Sequence, residues 1–137
     1  MRVISVSETG DLLWTESPNL APGPLEVLID VKATAINRAD LMQRKGLYPP
    51  PPGAPETMGL ECAGIVAAVG RDVTHHQVGD RVCALLAGGG YAEQALVDQG
   101  SALEIPDNLN FEQAAAIPEV FATAWLNLFI EAALQPG

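Results

Sequence analysis

A short segment, INRADLMQRKGLYPPPP, places an amide, a carboxyl group and a phenol close to a run of four prolines. Its polar side chains Asn37, Asp40 and Tyr48 can each form a hydrogen bond with a ligand. The prolines favour an extended polyproline II backbone, which would hold the loop stiff and present Tyr48 at its start. The segment is therefore a candidate rim of a chemical site, although an amphipathic surface tyrosine would give the same pattern.

Helix capping explains part of this segment without any ligand. Asn37 is a preferred N-cap residue, and Asp40 falls in the first helical turn, where a negative charge is stabilising. The spacing predicts a helix over 38–45, and Gly46 is placed to end it. The structural and the chemical interpretations are compatible, since the asparagine can cap the helix while the following loop meets a ligand.

The other candidate motifs have structural explanations. Strand-like sequence follows the three glycines at 88–90, whereas a phosphate cradle needs a helix N-terminus there, so a hairpin or bulge is predicted. His75 and His76 lie in a polar loop with no residues spaced to complete a metal site, which indicates a solvated loop. Neither a Ser/His/Asp arrangement nor a strand, Gly-rich turn and helix for a dinucleotide occurs in the sequence. Taken alone, the sequence has no complete catalytic apparatus.

Composition narrows the possible functions. The 137 residues include 7 basic and 17 acidic side chains, giving a net charge of −10, and no Lys/Arg cluster is present. A nucleic-acid partner is therefore not expected. The N-terminus lacks the pattern of a signal peptide, and we expect a cytoplasmic protein with no membrane partner. Cys62 and Cys83 both lie in apolar strand-like runs, which indicates buried structural thiols.

The pattern up to Ile105 predicts β structure. Short apolar runs alternate with Gly and Pro, which leaves too few residues between the breaks for ordinary helices. The clearest strand is LEVLIDVKATAI, residues 25–36, in which Val27, Ile29 and Val31 share one face. Further strands are predicted at RVISV, CAGIVAAVG, DRVCALL, YAEQALV and ALEIP, with the spacing of a barrel or sandwich.

Helical sequence begins after Pro106. Asn110 and Gln113 have the spacing of a capping box, and Pro118 is expected to end or kink the helix that they begin. A second helix is predicted over 119–134, with large apolar residues on nearly every side. Such a helix must be buried on several sides, and the rest of so small a chain can cover only one of them. We therefore expect a missing partner, either a second domain or another subunit.

Three phrases in order resemble one family: INRADLMQRKGLYPPPPGAPETMGLECAGIVAAVG, VGDRVCALLAGGGYAEQALV and FEQAAAIPEVFATAW. They are similar to the catalytic domain of medium-chain dehydrogenase/reductases, in the zinc-independent quinone oxidoreductase (zeta-crystallin-like) branch. The resemblance implies a mainly β, GroES-like, partly open barrel with short helices and a C-terminal helical segment. It implies a catalytic domain over 1–109 and a helical connector over 110–137, leading toward a Rossmann domain that this chain does not contain.

The resemblance implies the N-terminal catalytic part of an NADPH-dependent quinone oxidoreductase, inactive alone, whose parent transfers hydride to small quinones or electron-poor enones. It also implies a homodimer for the full-length parent. It places Asn37 and Thr123 at the nicotinamide, Asn37 and Tyr48 at the catalytic wall, and Asp40 in support of the loop. Without the resemblance, Thr123 has a structural explanation: the hydroxyl of a threonine in a helix readily bonds a carbonyl one turn back. Two alternatives stay open: an enoyl reductase of the same superfamily, and a stand-alone GroES-like binding domain without catalysis.

The resemblance also predicts that no zinc is bound. Zinc-dependent relatives carry a Cys after the long strand and a Gly-His-Glu triplet further on. Here the first region reads INRAD and the triplet reads Gly59-Leu60-Glu61. A leucine cannot ligate a metal, and neither Cys62 nor Cys83 has metal-site spacing.

Overall fold

The computed structural model describes residues 1–135 and 137, and this part of the chain is mainly β. Its strands are β1 (Arg2–Val6), β2 (Leu12–Glu16), β3 (Glu26–Thr34), β4 (Glu61–Val69), β5 (Arg81–Leu85), β6 (Gln94–Asp98) and β7 (Ala102–Glu104). Its helices are α1 (Arg38–Arg44), α2 (Phe111–Ala115) and α3 (Pro118–Trp125), with a 3-10 turn at Gln99–Ser101 and a π-helical segment at Leu126–Glu131. The predicted fold class is confirmed.

One curved antiparallel sheet holds most of the strands. Its order is β6-β3-β4-β5-β7, and β1 and β2 form a separate hairpin. The segment before β6 ties the hairpin to the sheet, because the Tyr91 carbonyl accepts from the Ile4 N–H at 2.8 Å and the Glu93 carbonyl accepts from the Val31 N–H at 2.9 Å. The long β3–β4 pair contains two register shifts, which bend the strands. The result is a partly open barrel.

Each face of the sheet carries a buried apolar cluster. One face carries the larger cluster, made of Val27, Ile29, Cys62, Val66, Val82, Ala84, Leu86, Ala95, Val97 and Ala102. On the other face, Ala63 and Cys83 pack with Ile105 against Ala114 and Ala115 of α2. The two cysteines lie on opposite faces because side chains alternate along paired strands. Both thiols are free and buried, as predicted.

Helix α1 ends at the predicted glycine. Gly46 has a φ of 69°, in the left-handed region that glycine adopts without strain. Its N–H donates to the Gln43 carbonyl at 2.9 Å, and the Leu47 N–H donates to the Met42 carbonyl at 2.9 Å. These two bonds form a Schellman ending, which satisfies carbonyls left free by the last turn.

Strand β2 is missing from the sequence-based predictions. Its sequence, LLWTE, begins with three consecutive apolar residues in place of an alternating pattern. Leu12, Leu13 and Trp14 are all exposed. The contacts with the segment before β6 are made by β1, which leaves β2 as the outer strand of the hairpin. The period that marks a half-buried strand is therefore absent from the sequence.

The hairpin or bulge predicted at 88–90 does not form, because these residues lie outside the strands on either side. β5 and β6 flank this segment but are not neighbours in the sheet, so no hairpin joins them. The glycines instead pack against the preceding loop: the Gly89 N–H donates to the Thr57 carbonyl at 2.7 Å, and the Gly90 N–H donates to the Gly59 carbonyl at 3.0 Å. Close backbone approach excludes a Cβ at Gly88 and Gly90, while Gly89 has a φ of 90°, in the region that favours glycine.

The solvated loop predicted for the two histidines holds for one of them. His75 is exposed, whereas His76 is half-buried with its Nε2 atom 3.2 Å from the Gln99 carbonyl oxygen. The second ring packs toward the 3-10 turn, a contact that the local sequence does not reveal.

The single helix predicted over 119–134 is wrong in its second half. α3 gives way to the π-helical segment, in which the Ala132 N–H reaches back to the Asn127 carbonyl at 3.0 Å. The Asn127 side chain donates to the Thr123 carbonyl at 2.8 Å, so a side chain competes with the backbone for that acceptor. Pro118 is the first residue of α3 and separates it from α2, as predicted.

The buried thiols should be unreactive in the folded chain. Burial, with smaller contributions from Cys83 and Glu61, raises the pKa of Cys62 to about 12, and burial raises the pKa of Cys83. We expect labelling by a disulfide reagent at pH 8 to be at least about 100-fold slower in the native chain than in denaturant, because the thiolate is the nucleophile.

The same pKa shift has a consequence for stability. A thiol whose pKa is raised on folding favours the folded state below its unfolded pKa, and that stability is lost at higher pH. The free energy of unfolding should therefore fall between pH 9 and pH 12, and Cys62→Ala should reduce the slope. Fast labelling of both thiols in the native chain at pH 8 would contradict this packing.

Candidate functional site

A groove of about 400 Å³ lies between the start of α1 and the side of α3. Asn37 lines one wall. Glu119 and Thr123 of α3 and Asn127 of the π-helical segment contribute polar atoms to the other wall, together with apolar side chains of both segments. Asn37 and Thr123, which are distant in sequence and were both predicted as site residues, are thus brought together.

A buried carboxylate joins the two walls of this groove. Glu61, the first residue of β4, is 1% exposed. Its Oε1 accepts a hydrogen bond from Asn37 Nδ2 at 2.8 Å, and its Oε2 accepts from the Glu119 backbone N–H at 2.9 Å. The ion pairs in the described part of the chain do not include Glu61, so these two donors are its polar partners there.

A second buried carboxylate holds Asn37 from the helix side. Asp40 is 2% exposed, and its Oδ2 accepts from the Asn37 backbone N–H at 2.8 Å. Its Oδ1 is buried and has no hydrogen-bond partner among the described atoms. Asp40 therefore fixes the backbone of Asn37, while Glu61 fixes its side chain.

Tyr91 lies next to Asp40. Its hydroxyl donates to the Ala35 carbonyl at 3.2 Å. Burial raises the pKa of Tyr91, and the charges of the nearby Asp40 and Glu61 carboxylates raise it further. The phenol therefore stays protonated at neutral pH and keeps its donor for the Ala35 carbonyl.

Thr123 is exposed on the groove side of α3. Its hydroxyl donates to the Glu119 Oε1 at 3.4 Å, so it meets a carboxylate one turn back and not the backbone carbonyl there. The Thr123 hydroxyl remains accessible from the groove.

Tyr48 is not among the residues that line the groove. It is 42% exposed and follows the end of α1. The structure therefore brings together two of the three predicted site residues, and the chemical roles given to all three stay predictions.

Sequence reasoning missed the contacts of Glu61 with Asn37 and Glu119 and the contact of Tyr91 with Ala35. Glu61 was read only as part of the Gly59-Leu60-Glu61 triplet, and Tyr91 only as part of a strand. The available signal was a carboxylate at the start of ECAGIVAAV, an otherwise apolar strand. A buried charge in such a strand requires partners, although sequence alone does not identify them.

The helix predicted to be buried on several sides is exposed in this chain. Phe121 is 66% exposed and Trp125 is 62% exposed, and further large apolar side chains of the same segment also face solvent. The rings of Trp125 and Phe129 contact each other with centroids 4.5 Å apart. The chain itself does not supply the expected cover. Among the described residues, no helix has the length and apolar character needed to span a membrane.

Within residues 1–135 and 137, no three His, Cys, Asp or Glu side chains are grouped so that they could hold a metal ion. Position 60 is a leucine, as the sequence shows. The absence of zinc stays a prediction.

Residues 23–107 match the alcohol dehydrogenase GroES-like domain family. This match, together with the curved sheet, confirms the GroES-like fold that the sequence resemblance implied.

The chain is also similar to individual proteins of known sequence and structure. The synaptic vesicle membrane protein VAT-1 homolog of Danio rerio is 41% identical over 112 residues, which are 82% of this chain and 23% of that protein. The CurK enoyl reductase structure superimposes with a TM-score of 0.90 and 32% identity, covering 99% of this chain and 44% of that one. The Escherichia coli quinone oxidoreductase complexed with NADPH gives a TM-score of 0.79 and 34% identity, covering 93% and 39%. The chain thus spans less than half the length of each.

Removing the Asp40 carboxylate should loosen the start of α1. In Asp40→Ala the Asn37 N–H loses its partner and a small cavity forms, so we expect a loss of ~1–3 kcal/mol in the free energy of unfolding. Urea denaturation followed by circular dichroism measures this loss. Asp107→Ala, at an exposed position, is the matched control and should change stability by less than ~0.5 kcal/mol. Equal effects of the two variants would show that Asp40 does not hold the helix.

Proposed function

The chain belongs to the medium-chain dehydrogenase/reductase family through its alcohol dehydrogenase GroES-like domain, and we propose that it is the catalytic part of an NADPH-dependent quinone oxidoreductase. Its substrates would be quinones or electron-poor enones. The observation that carries the proposal is the groove that Asn37, just before α1, and Thr123, on the side of α3, line together. The name of the Escherichia coli quinone oxidoreductase and its complex with NADPH support the choice of reaction and cofactor.

The groove suits the nicotinamide end of NADPH. A nicotinamide is a flat ring with one carboxamide, so it needs an apolar wall and a few hydrogen-bonding groups. Val120, Ala124 and Leu128 supply the apolar wall, while Asn37 and Thr123 supply the polar groups. When bound, NADPH would supply the hydride.

The residues of this chain would orient the reactants. Asn37 is held at its backbone by Asp40 and at its side chain by Glu61, so its amide presents a fixed set of polar atoms. Such preorganisation lowers the entropy lost on reaching a reactive geometry. Tyr48 would line the space for the acceptor. Hydride transfer to a quinone needs orientation and an apolar cavity more than a dedicated base, and the protons can come from water.

The exposed face of α3 fits the same proposal. An apolar surface formed by residues such as Phe121 and Trp125 is normally covered by another protein surface. In the proposed longer protein, a Rossmann domain that holds NADPH covers this face, and the chain alone is inactive. The homodimer, the cytoplasmic location and the independence from zinc belong to this proposal as well.

An enoyl reductase is the second candidate. The superposition on the CurK enoyl reductase favours it, since its TM-score of 0.90 exceeds the 0.79 of the quinone oxidoreductase. Both enzymes need the same groove, so the acceptor distinguishes them. A stand-alone binding domain is the third candidate. A stop codon directly after Gly137 in the natural gene would favour it, whereas an open frame running on into a strand and a Gly-rich turn would exclude it.

Activity of the longer protein tests the reaction. We expect NADPH oxidation with 1,4-benzoquinone and much slower turnover of crotonyl thioester, both followed by the loss of absorbance of the reduced nicotinamide. Asn37→Ala should lower kcat/KM by about 10- to 100-fold, because a positioning contact at the reacting ring is lost. Asn108→Ala, an exposed asparagine outside the groove, is the control and should leave kcat/KM unchanged.

Other outcomes discriminate between the candidates. Faster turnover of the thioester than of the quinone would favour the enoyl reductase over the quinone oxidoreductase. Tyr48→Phe should slow quinone reduction without loss of the fold, and unchanged kinetics in this variant would remove Tyr48 from the acceptor space. Equal kinetics of Asn37→Ala and the control would contradict the groove as the nicotinamide site.

A further inference from the structure

We propose that Glu61 is a positioning residue that sets the polarity of the Asn37 amide and fixes the start of α3. It thereby decides which atoms Asn37 offers to a ligand in the groove. The inference deepens the proposed function and rests on it, since the ligand considered is the nicotinamide end of the cofactor.

The chemistry of the contact determines the orientation of Asn37. A carboxylate only accepts hydrogen bonds, so the Asn37 atom 2.8 Å from Glu61 Oε1 must be the amide nitrogen. An asparagine without such a partner can turn its amide either way. Here the oxygen of Asn37 is directed away from Glu61 and faces the backbone N–H of Asp40, as in a capping box. The amide therefore offers its remaining N–H and the second lone pair of that oxygen to its other surroundings. Because Asn37 lines the groove, these are the polar atoms available for a ligand.

The second oxygen of Glu61 fixes the opposite wall. Pro118 occupies the first position of α3 and has no N–H, so Glu119 provides the first free N–H of the helix. That N–H donates to Glu61 Oε2 at 2.9 Å, where a carboxylate also interacts favourably with the helix dipole. One side chain therefore determines both the orientation of Asn37 and the place where α3 begins.

Glu61 does not itself take part in the chemistry. It is 1% exposed and is not among the residues that line the groove. Any effect of Glu61 on a ligand must pass through Asn37 or α3, which defines a positioning residue and not a catalytic one.

The variant Glu61→Gln tests the polarity directly. In the glutamine side chain only the oxygen can accept a hydrogen bond. If this oxygen keeps the bond from the Glu119 N–H, the NH2 group of the glutamine faces Asn37. Asn37 must then turn its own oxygen toward position 61 and present its nitrogen elsewhere. The shape of the side chain is nearly unchanged, while the donor and acceptor that Asn37 offers are exchanged.

A reciprocal exchange separates this contact from general packing. Asn37→Asp places two carboxylates at the 2.8 Å contact, which is strongly unfavourable. The double variant Glu61→Gln with Asn37→Asp restores one donor and one acceptor. The double variant should therefore be more stable than Asn37→Asp alone, although it carries one change more.

Nuclear magnetic resonance of the 137-residue chain provides the first readout. In the wild type, one side-chain amide proton of Asn37 should resonate downfield and exchange with water at least about tenfold more slowly than an exposed amide, because it is hydrogen-bonded and sheltered. Glu61→Gln should abolish this signature. The side-chain amide of exposed Asn108 is the internal control and should be the same in both proteins. An Asn37 amide that exchanges as fast as that of Asn108 in the wild type would overturn the proposal, as would strict additivity of the two substitutions in urea denaturation.

Titration with nicotinamide provides the second readout and separates the two proposals. We expect nicotinamide to shift the Asn37 signals of the wild type and to bind Glu61→Gln about 5- to 10-fold more weakly, the effect of one mismatched hydrogen bond. Equal affinity for both proteins would overturn the claim that Glu61 selects the atoms offered to the ligand. No binding to the wild type, with the amide signature and the double-variant rescue intact, would reject the proposed cofactor site and still support Glu61 as the residue that positions Asn37.

Discussion

A buried carboxylate dominates the architecture of this domain. Taking a carboxylate out of water costs several kcal/mol unless hydrogen-bond donors replace the lost solvent. Glu61 finds its donors 24 and 58 residues away in sequence, at Asn37 and at Glu119. The requirement to satisfy both oxygens therefore draws the start of α1 and the start of α3 to the N-terminal end of β4, where Glu61 lies. The groove exists because these two helix ends meet at one side chain.

The helix that forms one wall of the groove also carries exposed large apolar side chains. α3 presents Thr123 and Val120 to the groove, while Phe121 and Trp125 face solvent elsewhere on the helix. A partner that covers the apolar side would sit beside the groove and limit the access of water to it. Such an arrangement strengthens hydrogen bonds inside the groove, because the local dielectric falls. In the proposed enzyme, domain closure and ligand orientation thus depend on the same helix.

Local physics predicted the elements whose signals are short in range. The alternation of β3, the termination of α1 at Gly46 and the burial of Cys62 and Cys83 follow from patterns within a few residues. β2 escaped prediction because it is not half-buried and so shows no alternation. The glycines at 88–90 were assigned to a hairpin or bulge because the local sequence resembles one. They pack against residues 55–61, a contact that the local sequence does not show.

The site was less predictable than the fold for the same reason. Asn37, Tyr48 and Thr123 were found through family resemblance, and local sequence offered helix capping or surface exposure as sufficient explanations. Glu61 carries a local oddity, a carboxylate in an apolar strand, but the groove depends on partners that only tertiary structure brings near it. The π-helical segment likewise depends on the bond from the Asn127 side chain to a backbone carbonyl, which helix propensity does not reveal.

Binding of NADPH distinguishes this account from its alternatives most directly. NADPH is titrated by calorimetry into the 137-residue chain alone and into the longer protein that includes a Rossmann domain. The comparison sets part of the proposed NADPH site against the complete site. The account predicts saturable binding by the longer protein and no tight binding by the chain alone, because this chain provides a groove for the nicotinamide end only. Tight binding by the chain alone, or no binding by the longer protein, would contradict the division of the site between two domains.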